Sequence, residues 1–430
     1  MKIKIYKSEQ LKGTISAPPS KSYTHRAIIM SSLADGKSII KLPLLSDDTM
    51  SSINACMALG ALIKINPSAL EIRGSFPFKP NSDIIDVGNS GTTMRIITAL
   101  CGYYPGKITI TGDESIQKRP MGPLIKALKK LGVQIISKNE NDCPPIIVKG
   151  PTLIGGETSI PGDVSSQYIT GLLVSCPLAE KNSVINITTP LKSAPYIHIT
   201  LECLDKYRIK VDHKSNLRKF VIQGNQEYKP INLTIPGDFS SSSFMLALAA
   251  ITGSKITMTN LNIDTYQGDV QIIDILKQMG CEVQVNKVDN SITVVGPDKL
   301  NAIEINMGNI PDLFPVLCIL GTFAHGITKL YGARHLRFKE SDRIHALSNE
   351  LTKLGVKIIE KEDGVEIKGP NAIKFNEIDV YNDHRIAMAL SLLGVKMEYL
   401  IIPNIEICKV SYPNFIEHLR SLGVDFEVLE

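Results

Sequence analysis

Tryptophan is absent from the 430 residues and aromatic side chains make up only 6%. A base-stacking platform for nucleic acid therefore has little to be built from. The formal net charge is +4, too small for a general polyanion-binding surface, so any basic site has to be local. No apolar run approaches the length of a membrane span. The opening Met1-Lys2-Ile3-Lys4-Ile5-Tyr6 alternates like a strand and lacks the apolar core of a signal peptide. Cysteine is present eight times, at Cys56, Cys101, Cys143, Cys176, Cys203, Cys281, Cys318 and Cys408, without a CxxC pair or a His/Cys cluster at metal-ligand spacing. Buried, reduced thiols in a cytoplasmic protein are expected. What remains is a long globular chain with enough apolar residues for two or three domains.

Two motifs recur along it. In the first, a helix tail meets a glycine and then a strand, as in Leu59-Gly60-Ala61, Leu131-Gly132-Val133, Met279-Gly280-Cys281, Leu354-Gly355-Val356 and Leu422-Gly423-Val424. A degenerate copy lies at Cys203-Leu204-Asp205-Lys206-Tyr207-Arg208-Ile209-Lys210-Val211. The glycine is expected to be the left-handed residue that ends the helix. In the second, small polar residues open an apolar helix, near Ser20, Asn89, Asp163, Asp238, Pro311 and Asp383. Those helices should be buried. Six α/β units follow, three to a domain. We expect one discontinuous domain of residues 1–18 and 231–430, closed by the N-terminal strand, and an inserted domain of residues 19–230. The active site is expected in the cleft between them, where buried helices aim their positively polarised starts.

Pro18-Pro19-Ser20-Lys21-Ser22-Tyr23-Thr24-His25-Arg26 is the most pointed of these helix starts. Proline restricts its approach, Ser20 is a suitable cap, and Lys21 and Arg26 put cations where a helix dipole disfavours them. Charges set against a local preference often mark function. Gly91 lets a ligand come close to the backbone, although no GK[ST] follows to make a P-loop. Ser165, Ser166 and Gln167 offer neutral donors, and Arg119 precedes the helix from Pro123. By contrast, Asp238 has no accompanying cation and reads as an ordinary cap. The run His335-Leu336-Arg337-Phe338-Lys339-Glu340-Ser341-Asp342-Arg343 alone would read as a solvated face. Together, Lys21, Arg26, Arg119, Lys339, Arg343 and Arg385, with Asp312 and Glu340 among them, call for a substrate bearing at least two phosphates or carboxylates.

These motifs, PPSKSxTHR at 18–26, GNSGTTMR at 88–95, KRPM at 118–121, PGDxSSQ at 161–167, LRFKESDRI at 336–344 and YNDHRIAMA at 381–389, resemble in order those of the EPSP synthases, within the enolpyruvyl transferases. The resemblance covers essentially the whole chain. It implies a two-domain inside-out α/β barrel that moves the enolpyruvyl group of phosphoenolpyruvate to the 5-hydroxyl of shikimate 3-phosphate by addition and elimination, without metal or organic cofactor. Lys21, Gly91, Arg119, Gln167, Arg343 and Arg385 would then hold phosphoenolpyruvate. Shikimate 3-phosphate would fall to Lys21, Ser22, Arg26, Ser165, Ser166, Gln167, Ser193, Asp312 and Lys339. Asp312, assisted by Lys21, would take the hydroxyl proton, and Glu340 would protonate the methylene carbon. The resemblance also implies a cytoplasmic monomer with no nucleic-acid or membrane partner.

Three positions depart from the family pattern. His335 stands where many members have asparagine, and Val410 where lysine is common, with Lys409 one residue earlier and outside the expected site. Ile96 replaces a frequent proline, which bears on the Gly91-Thr92 turn and on the response to glyphosate, a competitor of phosphoenolpyruvate. Two rivals share the scaffold: the transferase acting on UDP-N-acetylglucosamine, which Asp113 does not decisively exclude, and a non-catalytic anion binder. The KESDR and SSQ motifs speak against the first, and the set Lys21, Asp312 and Glu340 against the second.

Overall fold

A computed structural model describes residues 1–429. The chain divides into an inserted unit, Pro19–Ile235, and a discontinuous unit, Met1–Pro18 with Pro236 onward. The inserted unit runs past residue 230 because the strand Asn232–Thr234 pairs in parallel with Lys37–Lys41, a strand of that unit.

The inserted unit has three four-stranded sheets of one design. Ile84–Asp86 pairs in parallel with Gly106–Thr111, and the antiparallel strands Ile146–Gly150 and Gln134–Ser137 follow. Gly156–Ile160, Ser183–Ile187, Lys219–Ile222 and Asp212–His213 repeat the order. In the discontinuous unit the same order is built from Glu304–Asn306, Gly326–Tyr331, Gly364–Gly369 and Lys357–Lys361. Its last sheet has three strands, with Lys2–Tyr6 between Tyr399–Ile402 and Phe426–Leu429. At the two chain crossings one strand is exchanged. Lys12–Ser16, just before the helix Lys21–Leu33, pairs with Lys255–Thr259, whereas Asn232–Thr234, just before the helix Phe239–Thr252, pairs with Lys37–Lys41.

Sequence dictates which helices are covered. Phe314–Phe323 and Phe239–Thr252 are apolar or small on every face and almost wholly buried. Gly122–Lys130 alternates instead, burying Leu124, Ile125, Ala127 and Leu128 while its lysines face out. Each unit has its own apolar core, with each buried leucine or isoleucine contributing roughly 1.5–3 kcal/mol. Gly60, Gly132, Gly280, Gly355 and Gly423 all have φ between 85° and 104°, as the helix-to-strand turn requires. In the degenerate copy Arg208 takes that left-handed place at φ 65°.

The helix starts are refined in detail. Asp238 and Asp383 cap their helices, at 2.7 Å to the Ser241 amide and 2.9 Å to the Arg385 amide. At Asn89 and Asp163 the cap lies one and two residues later, on Ser90 and Ser165, because Asn89 is held by Arg119 and Asp163 accepts from Thr189. Ser20 occupies the cap position without making a capping bond: its hydroxyl is buried and has no hydrogen-bond partner among the described residues. All eight cysteines are free; seven are buried and Cys143 is half-buried. Among the described residues no helix is long and apolar enough to cross a membrane.

Candidate active site

In the inserted unit the first helical turn after Ser20 sets Lys21 2.8 Å from Asp48 Oδ2. Asp48 lies in the first turn of Asp47–Ala58, fixed by a capping box between Ser46 and Thr49. Burial alone would raise the Asp48 carboxyl, but the charges of Lys21 and His25 outweigh it and hold the group well below the usual carboxylate range. One turn after Lys21, His25 lies buried with Nε2 3.5 Å from Asp48 Oδ1 and Nδ1 2.8 Å from Ser52 Oγ. Ser52 meets Thr93 at 2.7 Å, and Thr93 meets the cap Ser90 at 2.7 Å.

Gly91 opens the next buried helix, Gly91–Leu100, at a crowded point. A Cβ there would lie 2.4 Å from Arg95 Nη1, 3.1 Å from Arg119 Nη1 and 3.4 Å from Gln167 Oε1. Side chains from three elements thus converge on one backbone position. Arg119 donates to Asn89 Oδ1 at 2.6 Å and to Ser115 Oγ at 2.9 Å, and Gln167 Nε2 donates to Thr92 Oγ1 at 3.0 Å. Arg26 points into the unit. Its guanidinium donates to Thr200 Oγ1, Thr170 Oγ1 and the carbonyls of Ser22 and Tyr196, and burial lowers its pKa from the usual arginine value. The helix supplying Thr200 and Tyr196 starts after Ser193, which is left-handed at φ 57° and buried, strain of the kind that collects at functional sites. Ser165 accepts from the Gln167 amide at 3.3 Å, with Ser166 buried beside it.

The discontinuous unit is organised around Arg343, whose side chain is only 2% exposed. It donates to Asp312 Oδ1 at 3.0 Å, Glu340 Oε2 at 2.8 Å, and Asp383 Oδ2 and Oδ1 at 2.8 and 3.2 Å. Burial acts to lower the guanidinium pKa, but Asp383, Glu340 and Asp312 carry it well above the usual value. Asp312 also accepts from Arg385 at 3.0 Å. Asp383 is fully buried, which favours its neutral form, yet Arg343 overcomes this and lowers its pKa. Close by, Asp269 accepts a short hydrogen bond from Ser240. Burial first, and the charge of Asp312 second, push its carboxyl up to about 7.

The charged run at residues 335–343 is therefore not a solvated face. Arg337 is pinned by Asp342 at 2.8 Å and Glu360 at 2.9 Å, Arg343 and His335 are buried, and Lys339 is half-buried. Lys409 is exposed and Ile96 is buried in the core. Lys21, Gly91, Arg119 and Gln167 gather in the inserted unit, and Asp312, Glu340, Arg343 and Arg385 in the discontinuous one. Asp48, His25, Arg95, Asp383 and Asp269 join them without having been singled out. The two acids at the start of Asp47–Ala58 look like ordinary complements to a helix dipole, and Asp383 looks like a cap, which it also is. Nothing local marks Asp269. Among the described residues no group of three or more His, Cys, Asp or Glu side chains is arranged to hold a metal ion.

Arginines converge on a glycine-led helix start in the inserted unit, and one buried arginine bridges carboxylates in the discontinuous unit, the makings of a two-domain α/β enzyme for anionic substrates. Residues 5–419 match the family described as EPSP synthase (3-phosphoshikimate 1-carboxyvinyltransferase). Relatives named 3-phosphoshikimate 1-carboxyvinyltransferase include those of Methanococcus maripaludis, 42% identical over 99% of both chains, and Methanosarcina acetivorans, 44% identical over 99% of this chain and 98% of that one. The EPSP synthase structure from Acinetobacter baumannii superposes with a TM-score of 0.84 at 28% identity, covering all of both chains. The chain belongs to the EPSP synthase family. Its activity is that of the family, enolpyruvyl transfer to shikimate 3-phosphate in the shikimate pathway, and its architecture is the two-domain α/β fold of those structures.

Proposed function

We propose that the two clusters work on one pair of substrates, the inserted unit chiefly gripping anions and the discontinuous unit chiefly moving protons. The observation that carries this reading is the Arg343 hub, which holds Asp312 and Glu340 on one rigid fork. Four of the five N–H donors of a guanidinium are spent on these carboxylates and Asp383. One N–H on Nη1 is left for the carboxylate or phosphate of phosphoenolpyruvate. Arg385, Arg119, Lys21, Gln167 and the backbone at Gly91 complete that grip. Ser22, Ser165, Ser166, Gln167, Ser193 and Lys339 hold shikimate 3-phosphate, with Arg26 fixing the Ser22 carbonyl from behind.

The 5-hydroxyl oxygen bonds to C2 of phosphoenolpyruvate as Asp312, helped by Lys21, takes its proton. Glu340 delivers a proton to C3, which becomes a methyl group. In the second step the C2–O bond to phosphate breaks, the departing phosphate takes up the proton held by Asp312, a methyl proton returns to Glu340, and the enol ether forms. Arg343 holds the Glu340 carboxylate in place for both transfers, at 2.8 Å. Fixed cations stabilise the departing phosphate without reorganising. We further propose that the enzyme is a cytoplasmic monomer.

Phosphate release from phosphoenolpyruvate, assayed with shikimate 3-phosphate and separately with UDP-N-acetylglucosamine, tests the acceptor. Release is expected only with the first. Equal rates with both would overturn the acceptor assignment.

A further inference from the structure

We propose that His25 is a positioning residue that couples the Lys21 ammonium to the start of the Gly91 helix, so that the cation between the substrates and the backbone holding one of them move as a unit. The proposal rests on the assignment of Lys21 and Gly91 to substrate binding made above.

A polar path with one open step carries it. It runs from Lys21 to Asp48 at 2.8 Å, from Asp48 to His25 at 3.5 Å, from His25 to Ser52 at 2.8 Å, and through Thr93 to Ser90 in two steps of 2.7 Å. It joins three helices, Lys21–Leu33, Asp47–Ala58 and Gly91–Leu100. Beyond Lys21 every member is at most 9% exposed, so water does not compete for these groups, and a half-made network there is costly. Lys21 and His25 are four residues apart on one helix face, where side chains are neighbours. Ser90 and Thr93 bracket Gly91 and Thr92, and Thr92 accepts from Gln167. The 3.5 Å step is the long one. His25 Nε2 and Asp48 Oδ1 are both buried, and neither has a hydrogen-bond partner among the described residues. A small inward shift of Asp48 would close the path, the kind of tightening expected when substrates bind.

Histidine suits the task because its two nitrogens face opposite ways, one toward the carboxylate and one toward the hydroxyl. Each function can therefore be removed separately. Glutamine places an amide nitrogen near Nε2, and asparagine places one near Nδ1. His25→Gln should hold kcat within about two-fold while raising KM for phosphoenolpyruvate about ten-fold, the effect of one lost hydrogen bond in a charged network. His25→Asn should do the reverse, lowering kcat about ten-fold at nearly unchanged KM. His25→Ala should lose both, and if it does not fold, the Gln and Asn pair still carries the test. Parallel changes in kcat and KM in both variants, tracking the fall in Tm, would make His25 a packing residue and overturn the proposal. Lys21→Ala separates the two levels. Unimpaired turnover there overturns the Lys21 assignment and the coupling with it, whereas impaired Lys21→Ala beside normal His25 variants overturns the coupling alone.

Discussion

The two clusters solve opposite electrostatic problems. In the inserted unit Lys21, Arg26, Arg95 and Arg119 outnumber the one buried carboxylate, Asp48, and their spare field suits anions. In the discontinuous unit Asp312, Glu340, Asp383 and Asp269 crowd around Arg343 and Arg385. Asp312 and Glu340 among those carboxylates are the proton carriers of the proposed mechanism. In the proposed mechanism the inserted unit chiefly binds and the discontinuous unit chiefly moves protons.

The comparison can be broken at its strongest point first. Glu340→Gln should leave binding of both substrates near normal in calorimetry and lower kcat by about two to four orders of magnitude, the usual span for a general acid or base. Near-normal turnover would remove Glu340 from the proton path. Next in size, Arg343→Met strands three carboxylates around a buried gap and should cost about 3–5 kcal/mol in urea unfolding, the usual penalty for removing one partner of a buried ionic group. A loss under about 1 kcal/mol, the range of an exposed pair, would mean that Arg343 is not the hub of its unit.

Asp269 in one unit and Asp48 in the other should also answer pH in opposite senses. Asp269 is raised to about 7 in the folded chain, so its contribution to stability is complete below the unfolded value of about 4 and is lost as pH climbs through about 7. Asp269→Asn should therefore gain stability relative to the parent between pH 5 and pH 8. Asp48 is lowered, so its contribution is present above about pH 4 and is lost as pH falls further. Asp48→Asn should then be less stable than the parent at pH 7, with the gap narrowing in acid. Denaturant midpoints across that range check both slopes, and parallel slopes would contradict the contrast. The smallest effect concerns the repeat. Arg208→Gly restores the residue found at the five equivalent turns and should raise stability by about 1 kcal/mol through relief of left-handed strain.

Repetition made the scaffold legible. A glycine after each helix tail and a small polar residue before each buried helix are local requirements, so they are written in the chain at matching intervals. Arg208 shows the limit: the same turn forms without its glycine, because surrounding packing sets the backbone. At the site, Lys21, Arg119 and Arg385 could be read because cations at helix starts break a local rule, and Asp312 and Glu340 because they are carboxylates set among such cations. Asp48, Asp383 and Asp269 obey local rules or carry no local mark, and their importance comes from neighbours distant in sequence. His25 stood inside the most pointed motif, yet its partner Ser52 lies on another helix, and no pattern in residues 18–26 could name it.

Isotope uptake reads proton delivery by Glu340 directly. In deuterated water with phosphoenolpyruvate and shikimate 3-phosphate, the unmodified enzyme should place deuterium in the methylene group of the product, since C3 passes through a methyl stage. Glu340→Gln, saturated with both substrates, should place it there about two to four orders of magnitude more slowly. Deuterium appearing at C3 at the parent rate in that variant would contradict the account.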